Sequence, residues 1–304
     1  MNSPSIINPK SAVATGIGLM LAACFMFSLN DAMGKWLLTT YSVGELLLIR
    51  SMAALVMLAP LLYREGWQPF RTAPRPGLQV LRIVLSSCEV GLFFWAVTYL
   101  PLADVVTFYL AGPIFVTMLS ALILREPVGW RRWSAVLAGF TGVVIALRPS
   151  AASFSPPALI ALAGSLFFSF LMIVTRVVRG TSDTVLVSTQ MAGTLVIGAV
   201  LAPIGWVTPT ARDGFLMALI GVVALFAHAC VNRSLKLAPA SIVVPYQYTL
   251  ILWAMVFGYF VFGDVPGLAL VVGAAIIVVA GIFIFIREHK HGTGGDKGIP
   301  APTA

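Results

Sequence analysis

Charged side chains are scarce in this chain. Asp, Glu, Lys and Arg make up 10% of its 304 residues while 59% are hydrophobic, against about 25% charged residues in a soluble domain. That balance excludes a water-soluble globular protein and leaves no room for a sizeable soluble domain; mean hydropathy is +0.97. Cysteine is nearly absent too. Cys24, Cys88 and Cys230 lie far apart inside apolar runs, which is not metal-ligand spacing and does not indicate a disulfide framework. No Gly-rich phosphate loop ending in Lys-Ser/Thr occurs, nor an HExxH, nor a GxSxG elbow. ATP hydrolysis within the chain and the common membrane hydrolases are thereby disfavoured. Strand alternation of the kind a barrel needs is missing as well.

What is present is a series of apolar runs, each able to cross a ~30 Å hydrocarbon core at ~1.5 Å per residue. Ten spans are predicted, near 12–38, 43–62, 78–99, 102–124, 132–148, 157–178, 185–204, 214–235, 240–262 and 265–286. Helices satisfy their own backbone in lipid, so the expectation is an all-α integral membrane protein. Leu21–Cys24 resembles a lipoprotein cleavage box, but the apolar run continues past Cys24, and the segment is read as a retained first helix.

The formal charge is +8, and its placement is informative. Lys10, Arg64, Arg71, Arg75, Arg125, Arg131, Arg132, Arg176, Arg179, Arg233, Lys236, Arg287, Lys290 and Lys297 fall in one set of loops. The opposite set holds little beyond Arg148 and Arg212, with Lys35 at a helix end. The basic residues are therefore read as orienting the helices rather than binding nucleic acid, with both termini cytoplasmic in an inner (plasma) membrane. The expected organisation is a cytoplasmic N-terminus over 1–11, a first five-helix repeat over 12–148, a linker over 149–156, a second repeat over 157–287, and a polar, disordered tail over 288–304.

The two halves echo each other. ALILREPVG (121–129) compares with FVFGDVPG (260–267), and LPLADVVTFYLAGP (100–113) with LAPASIVVPYQYTL (237–250). Five spans per half is an odd number, so the second half would insert upside down, as in many secondary transporters.

Together with FSLNDAMGKWL (27–37), LLLIRSMAALVMLAP (46–60) and LADVVTFYLAGPIFVTMLSALILREPVGWRRWSAVLAGFTGVVIALRP (102–149), these stretches resemble the drug/metabolite transporter superfamily, in the ten-helix branch built from two EamA-type repeats. The resemblance runs from Ala12 to about Arg287; the second repeat is looser, with Asp264 where the family usually has Glu. It implies a single-chain carrier of small organic solutes. Helices one to four and six to nine would surround a central cavity, with five and ten at the periphery. Aromatic amino acid exporters look like a neighbouring branch. The expected partners are a small solute, amino acids first, and membrane lipid, with no cofactor, no metal and no catalytic set; a monomer or weak homodimer is anticipated. Uptake of a vitamin or nucleotide-like metabolite is the alternative.

Charged groups at bilayer depth cost at least ~2.5–3.5 kcal/mol on insertion scales, so each is a functional candidate. Asp31 and Lys35 share a helix face at i, i+4, and Glu45 and Arg50 follow on the second span. Asp104 begins the fourth span on the same side. The five are expected to form a charged outer vestibule, unless Asp31–Lys35 and Glu45–Arg50 instead lock neighbouring helix ends as ion pairs. Glu89 falls near the midplane of the third span, where it could carry a proton that couples transport or serve as a hydrogen-bonded acid. Cavity candidates are Trp95 and Tyr99 on one face of the third helix, Tyr109, the pair His228 and Asn232, and Tyr246, Gln247, Tyr248 and Trp253 on the ninth. Aromatic walls with polar tips suit an amphipathic solute, although such stripes also serve plain packing. Pro113 and Pro245 interrupt the fourth and ninth spans, as hinges or as packing kinks.

Overall fold

Local chemistry sets the helix ends in a computed structural model of the chain, which describes residues 9–147 apart from 101 and 127, and 155–280 apart from 264, 266, 270, 274, 277 and 278. The elements are α1 (Pro9–Leu37), α2 (Val43–Glu65), α3 (Gln68–Arg71), α4 (Pro76–Tyr99), α5 (Leu102–Tyr109), α6 (Gly112–Ile123), α7 (Trp130–Leu147), α8 (Pro156–Val177), α9 (Asp183–Leu201), α10 (Ala211–Leu237), α11 (Ala240–Val243), a 3₁₀ segment (Val244–Thr249) and α12 (Leu250–Phe262). Ser42, Ser182 and Thr210 precede α2, α9 and α10, and their hydroxyls accept from the amides of Glu45, Val185 and Asp213 at 3.1–3.2 Å. Each satisfies an otherwise orphaned N–H of the first turn. Pro76 and Pro156 open α4 and α8 where a missing N–H costs nothing. Gly263 ends α12 at φ 72°, a left-handed cap that favours glycine.

Every regular element among the described residues is helical. Seven stretches are long and apolar enough to cross a membrane: α1, α2, α4, α8, α9, α10 and Ala240–Phe262; α6 is a shorter apolar helix. The tenth predicted span is helical at its described positions between 268 and 280. The N-terminal segment, the 149–156 linker up to 154, Asp264, Gly281 and the tail lie outside the described residues, as does the Asp104 side chain.

Two predicted spans are broken. The fourth divides into α5 and α6 at Leu110–Ala111, just ahead of Pro113, and the ninth passes through the 3₁₀ segment that contains Pro245. Proline supplies no N–H to the ladder and crowds the preceding turn, so the backbone yields there.

Packing across the halves is paired. α1 lies along α10, α4 along α8, α2 along α9, and α6 against the 3₁₀ segment. Two main apolar cores result, one around Met20, Leu171, Val231 and Val243, the other around Leu46, Phe94, Met217 and Ile220. Between them lies an opening flanked by both broken spans.

Interactions close the bundle at its two ends. At one end Glu126 accepts from the Ala240 and Ser241 amides at 3.3 and 3.2 Å, takes the Ser241 hydroxyl at 2.9 Å, and pairs with Arg176 at 3.4 Å. Lys236 pairs with Asp183 at 2.6 Å beside them. At the other end the Tyr41 hydroxyl donates to Asp213 at 2.7 Å, and the Val207 amide donates to Glu45 at 3.2 Å.

Candidate functional site

The opening between the cores is walled by aromatic rings. Phe93 and Tyr109 meet edge to face at 5.1 Å, and Phe168 stands 6.4 Å from Tyr109. Phe27, from α1, completes this apolar shell with Phe94. The arrangement is held from behind: Gly164 leaves the space that the Tyr109 hydroxyl fills, and that hydroxyl donates to the Glu89 carbonyl at 3.1 Å.

Into this shell project Asn30 and Asp31 from α1, Arg50 from α2, Glu89 from α4, His228 from α10 and Gln247 from the 3₁₀ segment. Asn30 Nδ2 donates to Asp31 at 3.1 Å. The Arg50 guanidinium lies 5.3 Å from the Phe94 ring centroid and is close enough to feel the charges of Asp31 and Glu89. Yet no ion pair within 4.0 Å joins Arg50 to either acid among the described residues. Three buried polar atoms on this wall lack a hydrogen-bond partner: Asn30 Oδ1, Arg50 Nη1 and Gln247 Oε1. Buried polar atoms are nearly always satisfied; others without a partner, such as Gln79 Oε1 and Asn232 Nδ2, lie elsewhere, but these three stand at the wall of one cavity, where a polar solute can meet them.

Asp31 and Arg50 therefore face the central cavity rather than an outer vestibule. α1 has 29 residues, about 44 Å at ~1.5 Å per residue and longer than the hydrocarbon core, so depth counted from its start is overestimated. Counted from the connection at 38–42, both residues lie ~10 Å in and meet at one level. Lys35 does not pair with Asp31; its ammonium sits 5.2 Å from the Phe262 ring. Glu45 likewise turns to Val207 and away from Arg50.

Among the predicted cavity residues, Tyr109, His228 and Gln247 line the opening with Glu89. Trp95 and Tyr99 lie on the outer surface, 49% and 64% exposed. They sit six and ten residues beyond Glu89, about 120° and 80° from it around the helix at 3.6 residues per turn, so neither shares its face. Tyr246, Tyr248 and Trp253 serve packing: Tyr246 is buried in the first core, the Tyr248 hydroxyl donates to Val136 at 3.1 Å, and Trp253 meets Phe25 at 4.8 Å. Gln247, in the 3₁₀ segment, and Leu250, at the start of α12, are the residues here that reach the wall.

Sequence reasoning passed over Arg82. It is 1% exposed in α4 and donates to Thr175 Oγ1, the Leu186 carbonyl, Gln190 Oε1 and Asn232 Oδ1 at 2.7–3.0 Å. Gln190 Nε2 in turn lies 3.0 Å from His228 Nδ1, so a polar chain leads from the cavity toward the Glu126 end. Asn232 belongs to this chain, and His228 is its link to the cavity. The signal was a lone arginine inside an apolar run, about 9 Å from the helix start.

The model of the EamA-like transporter family matches the chain twice, over residues 14–148 and 155–287. An S-adenosylmethionine uptake transporter of Rickettsia felis is 26% identical over 278 residues, covering 91% of this chain and 94% of that protein. A riboflavin transporter of Vibrio cholerae is 28% identical over 276 residues, covering 89% and 93%. A crystal structure superposes with TM-score 0.74 at 18% identity, over 91% of this chain and 99% of the other, which establishes a shared fold. The relatives named here are transporters of S-adenosylmethionine and of riboflavin, not aromatic amino acid exporters.

Proposed function

The chain belongs to the EamA-like transporter family, and from that premise we propose that it takes up a vitamin-like or nucleotide-like metabolite containing a planar ring. It is a multi-pass membrane transporter of small organic solutes. The observation that carries the substrate reading is the cavity itself: Asp31, Arg50 and Glu89 project into a shell of Phe and Tyr rings. Aromatic walls take the faces of a ring system, and the polar groups select its substituents. Amino acid export, the first expectation, gives way to this reading because the relatives named above are a carrier of S-adenosylmethionine and one of riboflavin.

The proposed architecture is ten helices in two inverted repeats, with both termini in the cytoplasm of the inner membrane. Exchange of the repeats turns the α1–α10 contact into α8–α4 and returns the α2–α9 contact to itself, in keeping with the observed pairings. Alternating access would then open the Tyr41–Asp213 end and the Glu126–Arg176 end in turn. The breaks beside Pro113 and at Pro245 serve as the hinges, and Glu89 carries the coupling proton.

Counterflow in proteoliposomes tests the substrate class. Labelled S-adenosylmethionine or riboflavin is expected to accumulate against the same unlabelled solute inside. Exchange of tryptophan, phenylalanine and tyrosine, with neither of the others moving, would overturn it.

A further inference from the structure

The open polar atoms of the cavity are not a random set. Arg50 Nη1 is a cationic donor, 3% exposed as a residue, with no partner. On the facing helix, Asp31 is held by Asn30 Nδ2 while Asn30 Oδ1, beside it, remains an unfilled acceptor. A third unfilled atom, Gln247 Oε1, is again an acceptor and stands on the 3₁₀ segment. Arginine and the acids share one cavity without closing on each other, although a direct pair would satisfy both. A bound solute that bridges them removes that cost.

We infer that Arg50 and the Asn30–Asp31 pair form a clamp for an α-amino acid zwitterion, so that the transported class is a nucleotide-like ring system that also bears an α-amino acid, rather than such a ring alone or a plain aromatic amino acid. This rests on the proposal that the cavity carries a ring-bearing solute. Arg50 takes the α-carboxylate through the donor that now lacks a partner; a guanidinium is suited to that role because its planar fork matches a carboxylate. Asp31 and Asn30 Oδ1 offer two acceptors to the α-ammonium. The ring packs against the cavity side of the wall formed by Phe93, Tyr109 and Phe168, and Gln247 Oε1 accepts from an amino or imino N–H at its edge. One guanidinium against one carboxylate matches a zwitterion, and Glu89 is left over for the proton. S-Adenosylmethionine has all of these features; riboflavin has the ring and its N–H but no amino acid.

Competition in proteoliposomes tests the clamp. Labelled S-adenosylmethionine is exchanged in the presence of S-adenosylmethionine, of 5′-methylthioadenosine, which keeps the adenosine but lacks the amino acid, or of riboflavin. The expected result is at least a tenfold preference for S-adenosylmethionine over both competitors, falling toward unity in Arg50→Gln and in Asp31→Asn. Equal competition by either ring-only compound in the unmodified protein overturns the clamp, as does a preference that survives both substitutions. The ratio in the unmodified protein decides the matter even where a variant fails to insert. Transport of riboflavin or 5′-methylthioadenosine without S-adenosylmethionine overturns the clamp and leaves the ring-carrier proposal standing. Movement of none of the three overturns both.

Discussion

Arg82 Nη2 donates to Asn232 Oδ1 at 3.0 Å, tying α4 of the first half to α10 of the second inside the protein. The same side chain reaches α8 through Thr175 and α9 through the Leu186 carbonyl and Gln190. One guanidinium thus holds four helices together. A lysine has the charge but not the fork. Arg82→Ala orphans several buried polar groups at a cost of about 1–3 kcal/mol each, and Arg82→Lys recovers only part of the loss. Melting of the purified protein in detergent checks the order: wild type above Lys, Lys above Ala.

Gly221 in α10 lies directly against the backbone of Arg50 in α2. A Cβ at that position would overlap the Arg50 carbonyl, which cannot move aside like a side-chain tip. Gly221→Ala is expected to push α10 from α2 and displace Arg50 from the cavity wall. Overpacking of this kind costs about 1–3 kcal/mol. Transport falls with stability here, so a variant that melts earlier yet exchanges solute at the wild-type rate contradicts the prediction.

At the Glu126 end a carboxylate caps α11 and meets Arg176. Glu126→Ala removes the acceptors, with a loss of about 0.5–2 kcal/mol as for other helix caps. Glu126→Gln keeps one acceptor oxygen and should fall between. Opening of this end is read from labelling of a cysteine placed at Leu237, which should speed up in the alanine variant.

Tyr41 lies in the connection between α1 and α2, where the hydrogen bond to Asp213 pushes its phenol above the usual tyrosine range. A raised pKa means that the folded state favours the protonated phenol. The contribution is fully present below the unfolded value of about 10 and is lost as pH rises through the higher folded value. Tyr41→Phe should therefore melt earlier than wild type at pH 8 and converge with it in strong alkali. A constant gap across that window would count against the assignment.

Glu89 makes no side-chain hydrogen bond or ion pair among the described residues and faces the cavity with Asp31 and Arg50. With the proton proposed there, Glu89→Gln should abolish accumulation driven by a pH gradient while exchange of solute at equal pH continues. Accumulation that keeps its pH dependence in the variant excludes Glu89 as the carrier of the proton.

Several of these residues were legible in the sequence as charges within apolar runs. Asp31, Arg50 and Glu89 were found that way, since the cost of a charge in hydrocarbon makes each one informative by itself. Their meeting was not legible, because depth along a helix longer than the bilayer depends on where the membrane begins. Trp95 and Tyr99 were assigned to the cavity on residue type, and the helical phase of α4 turns them outward. Tyr246, Gln247 and Tyr248 show the opposite difficulty: the residues stood in the right place, but only Gln247 of the three reaches the cavity wall.

By itself the sequence determined that this chain lives in a membrane as helices, because apolar runs of bilayer length without the alternation of a barrel strand satisfy their backbone in lipid as helices. Pro113 and Pro245 marked where two spans could break, but Pro60 sits inside an unbroken α2, so packing decided which prolines interrupt a helix. Tertiary structure decided which side chains share the cavity. That depends on the rotation and depth of helices distant in sequence, set by contacts such as Gly221 on Arg50 and Gly164 on Tyr109, where the absence of a side chain lets two segments come within touching distance.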